Sequence, residues 1–240
     1  MSRANRRHPC VYCSSGNGTD DHVFARAFFC ELDRGNLPRA PACGKCNGRK
    51  AELEAYVSTI LPLCVSDAGS KILEAAANRL ENNQKLRRSL SAPREPSVVE
   101  VSPYRYELRP SLPLDFEKVG LLFEMITRGL IWHHWRYILP ADCGTRAIAM
   151  PASFSDQQLR HFNRDEHYIE NCIAKTFLYR AWRACDAPYT SVWRHQFVGG
   201  GGFGIEGDPM LLDEIVIATA PQEFVWDLQE RELTKERGVA

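Results

Sequence analysis

The sequence predicts an α+β fold in three parts: a small loop-rich unit over residues 1–62, a helical connector and linker over 63–97, and a mixed α+β domain over 98–240. Three observations predict it. Two C-x-x-C pairs, Cys10/Cys13 and Cys43/Cys46, bracket a stretch with few large apolar residues. Three segments carry apolar residues at helical spacing, near 44–61, 67–90 and 115–139. After residue 97, short runs rich in β-branched and aromatic residues alternate with turn formers. With 240 residues, 44% hydrophobic and 25% charged, the chain has the composition and length of a globular protein that buries a core.

The first unit is the most informative. Residues 8–46 are rich in turn formers, such as Ser14-Ser15-Gly16-Asn17-Gly18 and Arg34-Gly35-Asn36, around short apolar pieces such as Val23-Phe24 and Phe28-Phe29. Such a segment has little core of its own and needs a staple. Two short chelating loops of thiols predict one: a tetrahedral structural zinc on Cys10, Cys13, Cys43 and Cys46. In small zinc units the metal supplies on the order of 10–16 kcal/mol of folding free energy. A helix is expected from Gly44–Asn47 to about Leu61, with Leu53, Tyr56, Val57, Ile60 and Leu61 on its apolar face and Pro62 after its end.

A second helix is expected over 67–90, with Asp67 as N-cap and Ile72, Leu73, Ala76, Leu80 and Leu86 facing inward. Residues 91–97 read as a linker. Beyond it, strands are expected at 98–101, 104–108, 146–150, 175–183, 191–198, 214–219 and 223–226. A long helix is expected over 115–139 and a short one over 156–162. The apolar run from Val119 to Leu139 is broken by Glu124, Arg128, His133, His134 and Arg136, so it predicts a buried helix and not a membrane span. The basic N-terminus lacks an apolar leader, and the nine cysteines are odd in number, so a soluble, cytoplasmic protein with free thiols is expected. The five unpaired cysteines, Cys30, Cys64, Cys143, Cys172 and Cys185, are expected as small buried residues.

The zero net charge hides an asymmetry. Through Arg94 there are 15 Lys/Arg against 9 Asp/Glu, and beyond it 15 against 21. A basic first part suits a polyanionic partner, and an acidic second part suits a protein partner.

The cysteine pairs enclose Thr19-Asp20-Asp21-His22-Val23 and are followed at once by Asn47-Gly48-Arg49-Lys50. These residues suggest a second, catalytic metal. Phosphodiester hydrolysis needs a base for the attacking water and a cation against the developing phosphorane charge. An imidazole with a pKa near 6.5 can accept that proton at neutral pH. A carboxylate and an amide oxygen suit a hard, largely hydrated Mg²⁺.

At these residues the sequence resembles a known family. C-V-Y-C, D-D-H-V-F and C-G-K-C-N-G-R-K, in that order, resemble the zinc-containing HNH endonucleases of the ββα-metal superfamily, over about residues 8–55. The stretch G-K-C-N-G-R-K also resembles the matching segment in the HNH domain of CRISPR effector nucleases, where the ligand is likewise Asn. The resemblance implies a ββα-metal module that cleaves DNA, with His22 as general base and Asp21 and Asn47 holding Mg²⁺ or Mn²⁺. Asp20 replaces Asp21 if the register differs by one. Two features depart from the family: Asn36 lies further from Cys43 than the family's middle Asn, and Phe24-Ala25-Arg26 stands where a proline is usual. Arg26, Arg39, Lys45, Arg49 and Lys50 are each either phosphate contacts or solvated charges.

The rival reading is a zinc knuckle that binds nucleic acid or protein without catalysis. It needs the four thiols but not Asp21, His22 and Asn47 together. His133-His134 lacks carboxylate or thiol partners at helical spacing and is expected in the core, while His161, His167 and His195 are isolated. The run Gly199–Gly202 lacks the Lys-Ser/Thr of a phosphate loop and is expected between strands.

Overall fold

The computed structural model of the chain describes residues 4–16, 18–64, 70–90, 97–102, 105–109, 114–140, 142–150, 168–174, 176–185, 187, 189–197, 203–205, 208–212 and 214–221. The expected helix at 156–162, the strand at 223–226, Asp67, the linker residues 91–96, Gly199–Gly202, His161 and His167 lie outside these residues.

The chain begins with an antiparallel hairpin of β1 (Thr19–His22) and β2 (Arg39–Ala42), in which Asp21 faces Ala40 and His22 faces Arg39. The first helix, α1 (Gly44–Cys64), follows directly and buries Leu53, Val57, Ile60 and Leu61 of the expected apolar face, while Tyr56 is partly buried. It does not stop before Pro62 but runs through it. A proline has no N–H for the carbonyl four residues back. Here that carbonyl, of Ser58, accepts from Arg79 Nη2 at 2.7 Å, so the helix continues without an orphaned acceptor.

The helix expected over 67–90 is two helices, α2 (Ser70–Asn82) and α3 (Gln84–Leu90). Asn83 divides them because its Oδ1 accepts from the Leu86 amide at 3.0 Å and caps α3. A hairpin of β3 (Ser97–Ser102) and β4 (Arg105–Arg109) contains the expected strand at 98–101 and residues 105–108 of the one expected at 104–108. The long helix is α4 (Phe116–Trp135), capped by the Asp115 carboxylate on the Lys118 amide at 3.1 Å. It ends at Trp135 and not near Leu139 because Arg136 takes a left-handed φ of 57°.

The remaining strands are β5 (Cys143–Met150), β6 (Tyr168–Ile173), β7 (Phe177–Arg183), β8 (Ser191–Phe197), β9 (Phe203–Ile205), β10 (Asp208–Leu212) and β11 (Glu214–Pro221). Five of them form an antiparallel sheet in the order β5-β11-β8-β7-β6, and β9 pairs with β10. Sequence reading missed β6, an edge strand whose Tyr168, Glu170, Asn171 and Cys172 are exposed and which therefore shows no apolar alternation. No helix among the described residues is long and apolar enough to cross a membrane.

α4 lies against α1, β2, β5 and β11. One apolar core includes Val11, Val23 and Phe24 near the hairpin, Leu122 and Phe123 on α4, and Phe177, Trp193 and Ile217 on the large sheet. It thus runs from the first expected unit into the last, and Phe24 meets Phe177 edge-on with ring centroids 4.7 Å apart. α4 comes close to the first unit at Gly129, where an added Cβ would fall 2.8 Å from Val23 Cγ2. Val23 is fully buried, and its branched side chain has few other rotamers. Gly129→Ala should therefore cost about 1–3 kcal/mol of stability through overpacking, read as a lower denaturant midpoint at unchanged slope, despite alanine's better helix propensity.

The core also holds two neutral histidines. His134 Nε2 lies 2.8 Å from the Tyr179 hydroxyl, and buried His195 Nε2 lies 2.9 Å from Thr127 Oγ1. Burial depresses His195 to about 3. Burial first, then His133 and Arg136, brings His134 to about 4. Both lie below the free imidazole value of about 6.5, so the unfolded chain binds more protons between those limits. Their stabilising contribution is full above pH 6.5 and declines as pH falls from there. Chemical denaturation at pH 7 and pH 5 should show this loss, and His195→Gln should reduce the difference between the two.

Candidate functional site

The four expected metal-ligating cysteines come together. The sulfurs of Cys10, Cys13, Cys43 and Cys46 all lie within 4.8 Å of one another, and Cys13 and Cys43 are 3.8 Å apart. Metal–sulfur bonds of ~2.3 Å in a tetrahedron separate sulfurs by about 3.8 Å, so this cluster could hold an ion such as zinc. Cys10 and Cys13 sit in a turn closed by the Ser14 amide on the Cys10 carbonyl at 2.8 Å, with Ser14 at a φ of 58°. Cys43 precedes α1, and Cys46 in its first turn donates its amide to Cys43 Sγ at 3.4 Å. Burial raises Cys10 and Cys46 above the ordinary thiol value. It opposes ionisation of Cys13 too, but hydrogen bonds with Ser15 outweigh it and hold that thiol down to about 6.

The other cysteines are mixed. Cys143 is buried as expected and Cys30 is partly buried. Cys172 and Cys185 are exposed, a correction explained by their places on the edge strand β6 and just after β7.

Strand alternation sends Asp20 and His22 to one face of β1 and Asp21 to the other. Asp20 has both oxygens engaged: Asn5 Nδ2 donates to Oδ1 at 2.7 Å and Arg39 Nη1 to Oδ2 at 2.6 Å. Burial opposes its ionisation, yet these partners keep its carboxyl below the usual carboxylate range. Asp21 accepts the Tyr12 hydroxyl at 2.9 Å and faces the Lys50 ammonium at 3.2 Å, both on Oδ2. No hydrogen bond from a described residue reaches its Oδ1. Asp21 is thus the aspartate with an oxygen to offer.

His22 is partly buried, and its Nδ1 is buried with no hydrogen-bond partner among the described residues. Burial, then the nearby Arg39, lowers its pKa below the usual imidazole range; Lys50 and Arg26 add to this and Asp21 opposes it. The imidazole is therefore neutral at pH 7, with a proton acceptor in a cationic setting.

Lys50 joins the hairpin to the helix. Its side chain is 1% exposed, and its Nζ meets the His22 carbonyl at 2.6 Å, Glu54 Oε1 at 2.5 Å and Asp21 Oδ2 at 3.2 Å. Burial raises the Glu54 carboxyl above its ordinary value, with Lys50 opposing. Burial, then Asp21, keeps Tyr12 protonated well above the usual phenol range, so it remains a donor.

Asn47 lies on α1 one turn before Lys50, partly buried, on the side of the helix that neighbours β1 through that lysine. Among the described residues no hydrogen bond links Asp21, His22 and Asn47 to one another. Of the five cations expected at phosphates, Arg26, Lys45 and Arg49 are exposed and Arg39 is partly exposed on Asp20. Lys50 is not among the surface cations, because its ammonium is buried on internal acceptors. Asn36 is exposed beside a cleft of about 410 Å³ that His133 and Asn171 also line.

Sequence reading missed Tyr12, Glu54 and Asn5. The i,i+4 spacing of Lys50 and Glu54 was the one local signal for any of them. No family model matches the chain, and neither the curated proteins nor the solved structures contain a match to it.

The purified chain should bind one divalent ion on its four clustered thiols. Cobalt loading should give thiolate-to-metal absorption that Cys43→Ser removes, and chelation should cost on the order of several kcal/mol of stability. A melting profile indifferent to chelator would count against a bound ion.

Proposed function

We propose that the chain is a metal-dependent endonuclease of the HNH type acting on DNA, with zinc on the four cysteines as a structural ion. The observation that carries this reading is His22: a partly buried imidazole, kept neutral near Arg26, Arg39 and Lys50, whose buried Nδ1 has no hydrogen-bond partner among the described residues. Such a group is poised to take a proton from water at neutral pH. Asp21 Oδ1, which no described residue hydrogen-bonds, and the amide of Asn47 are the oxygen donors that would hold Mg²⁺ or Mn²⁺. When bound, that ion would offset charge on the phosphate under attack.

In this reading His22 accepts the water proton at Nδ1. Lys50 and Tyr12 hold the Asp21 carboxylate by its Oδ2. The exposed Arg26, Lys45 and Arg49, with Arg39, meet the DNA backbone, which gives salt-sensitive binding with little sequence preference. The acidic second half is left for a protein partner or for target choice.

One observation favours the rival, a non-catalytic zinc knuckle. The Lys50 ammonium already neutralises Asp21, as in a purely structural ion pair.

Plasmid nicking with Mg²⁺ or Mn²⁺ separates the two. His22→Ala should lower the rate by about 10²–10⁴-fold with the melting temperature kept. Equal cutting by the variant would remove His22 as the base. Wild-type protein that cuts with neither ion would favour the knuckle.

A further inference from the structure

We propose that Tyr12 is a positioning residue that makes the aim of the Asp21 carboxylate depend on the ion held by the four cysteines. Tyr12 lies between two of those cysteines, and its hydroxyl donates to Asp21 Oδ2 at 2.9 Å. The short loop carrying it is anchored on its Cys10–Val11 side and exposed on its Cys13–Ser14 side. Cys10 and Val11 are almost fully buried, and the Val11 amide donates to the Pro41 carbonyl on β2 at 2.9 Å. The Ser14 amide closes the turn on the Cys10 carbonyl, and Ser14 Oγ donates to the Leu139 carbonyl at 3.2 Å, beyond the end of α4.

A tyrosine has two side-chain torsions, and this ring packs against the core. A shift of the Cys10–Cys13 turn therefore moves the hydroxyl instead of being absorbed by rotamer changes. The receiving carboxylate has little slack either. Tyr12 donates to Oδ2 from the cysteine turn, and the Lys50 ammonium pairs with the same oxygen from α1. Bonds to a charged acceptor are among the stronger hydrogen bonds, so this contact can transmit a displacement of the turn to the acid. The work that Oδ1 does rests on the nuclease reading; the coupling of Tyr12 to Asp21 does not.

The test uses the full chain, wild type and Tyr12→Phe, with Zn²⁺ or the larger Cd²⁺ on the cysteines. In the wild type, exchanging Zn²⁺ for Cd²⁺ should move the ¹³Cγ resonance of Asp21. In Tyr12→Phe the resonance should start elsewhere and stay put on exchange, with thiol-bound metal still at the wild-type stoichiometry. Mn²⁺ affinity, read by electron paramagnetic resonance, should fall roughly 10- to 100-fold in the variant, as for loss of other groups that orient a metal ligand.

The proposal is overturned if the exchange leaves wild-type Asp21 unmoved, or if Tyr12→Phe matches the wild type in resonance and response. If wild-type protein takes up no Mn²⁺, the nuclease reading fails while the two carbon measurements still decide the role of Tyr12. Should Tyr12→Phe fail to fold, 3,5-difluorotyrosine at position 12 keeps the hydroxyl but makes it more acidic. An Asp21 resonance unchanged by that replacement overturns the proposal equally.

Discussion

The Lys50 ammonium is the joint on which the first part of the molecule depends. The ammonium donates to the His22 carbonyl and the Glu54 carboxylate and pairs in charge with the Asp21 carboxylate at 3.2 Å, so it has three partners. Two of them belong to β1 and one to α1, so satisfying the cation fixes the strand against the helix. A buried charge without its partners costs several kcal/mol, so the arrangement resists partial opening. The geometry has a local consequence as well: the lysine grips the residue pair that carries the candidate acid and the candidate base.

Around this joint, the cysteine cluster and the shared core divide the task of holding a short hairpin. The cluster ties the turn before β1 to the start of α1, at the end of the unit with few apolar residues. At the other end, Val23, Phe24 and Phe28 lie in the same core as α4 and the large sheet. Gly129 lets α4 approach Val23 more closely than any side chain at that position would allow. The hairpin thus needs little core of its own, and a site on it would sit on rigid support, as preorganised chemistry requires.

Much of the fold was legible in the sequence because its signals are local. The pairing of Cys10/Cys13 with Cys43/Cys46 follows from spacing alone, and the four sulfurs do cluster. The apolar faces of α1 and α4 follow from helical period, and Val119, Leu122, Phe123, Ile126 and Leu130, at that period on α4, are buried. The failures have causes that the local apolar pattern does not carry. Pro62 ought to end α1, but Arg79 takes over the stranded Ser58 carbonyl. β6 shows no alternation because it is an edge, and its pairing with β7 is set across a turn. Lys50 looked like one surface cation among five, since nothing local distinguishes a lysine that snorkels to water from one that ends on buried acceptors.

The sequence by itself determined the donor sets: four thiols at chelating spacing, an Asp-His pair between them, and an amide on the helix that follows. Residue type and short-range spacing are enough for that, since a turn or a helix start places neighbours in only a few ways. The tertiary structure alone decided how those donors are used. It occupied both oxygens of Asp20 with Asn5 and Arg39, kept His22 neutral, and drew Tyr12 and Lys50 onto one carboxylate oxygen of Asp21. Burial and charge at a point in space are sums over elements far apart in the chain, and no local pattern encodes that sum.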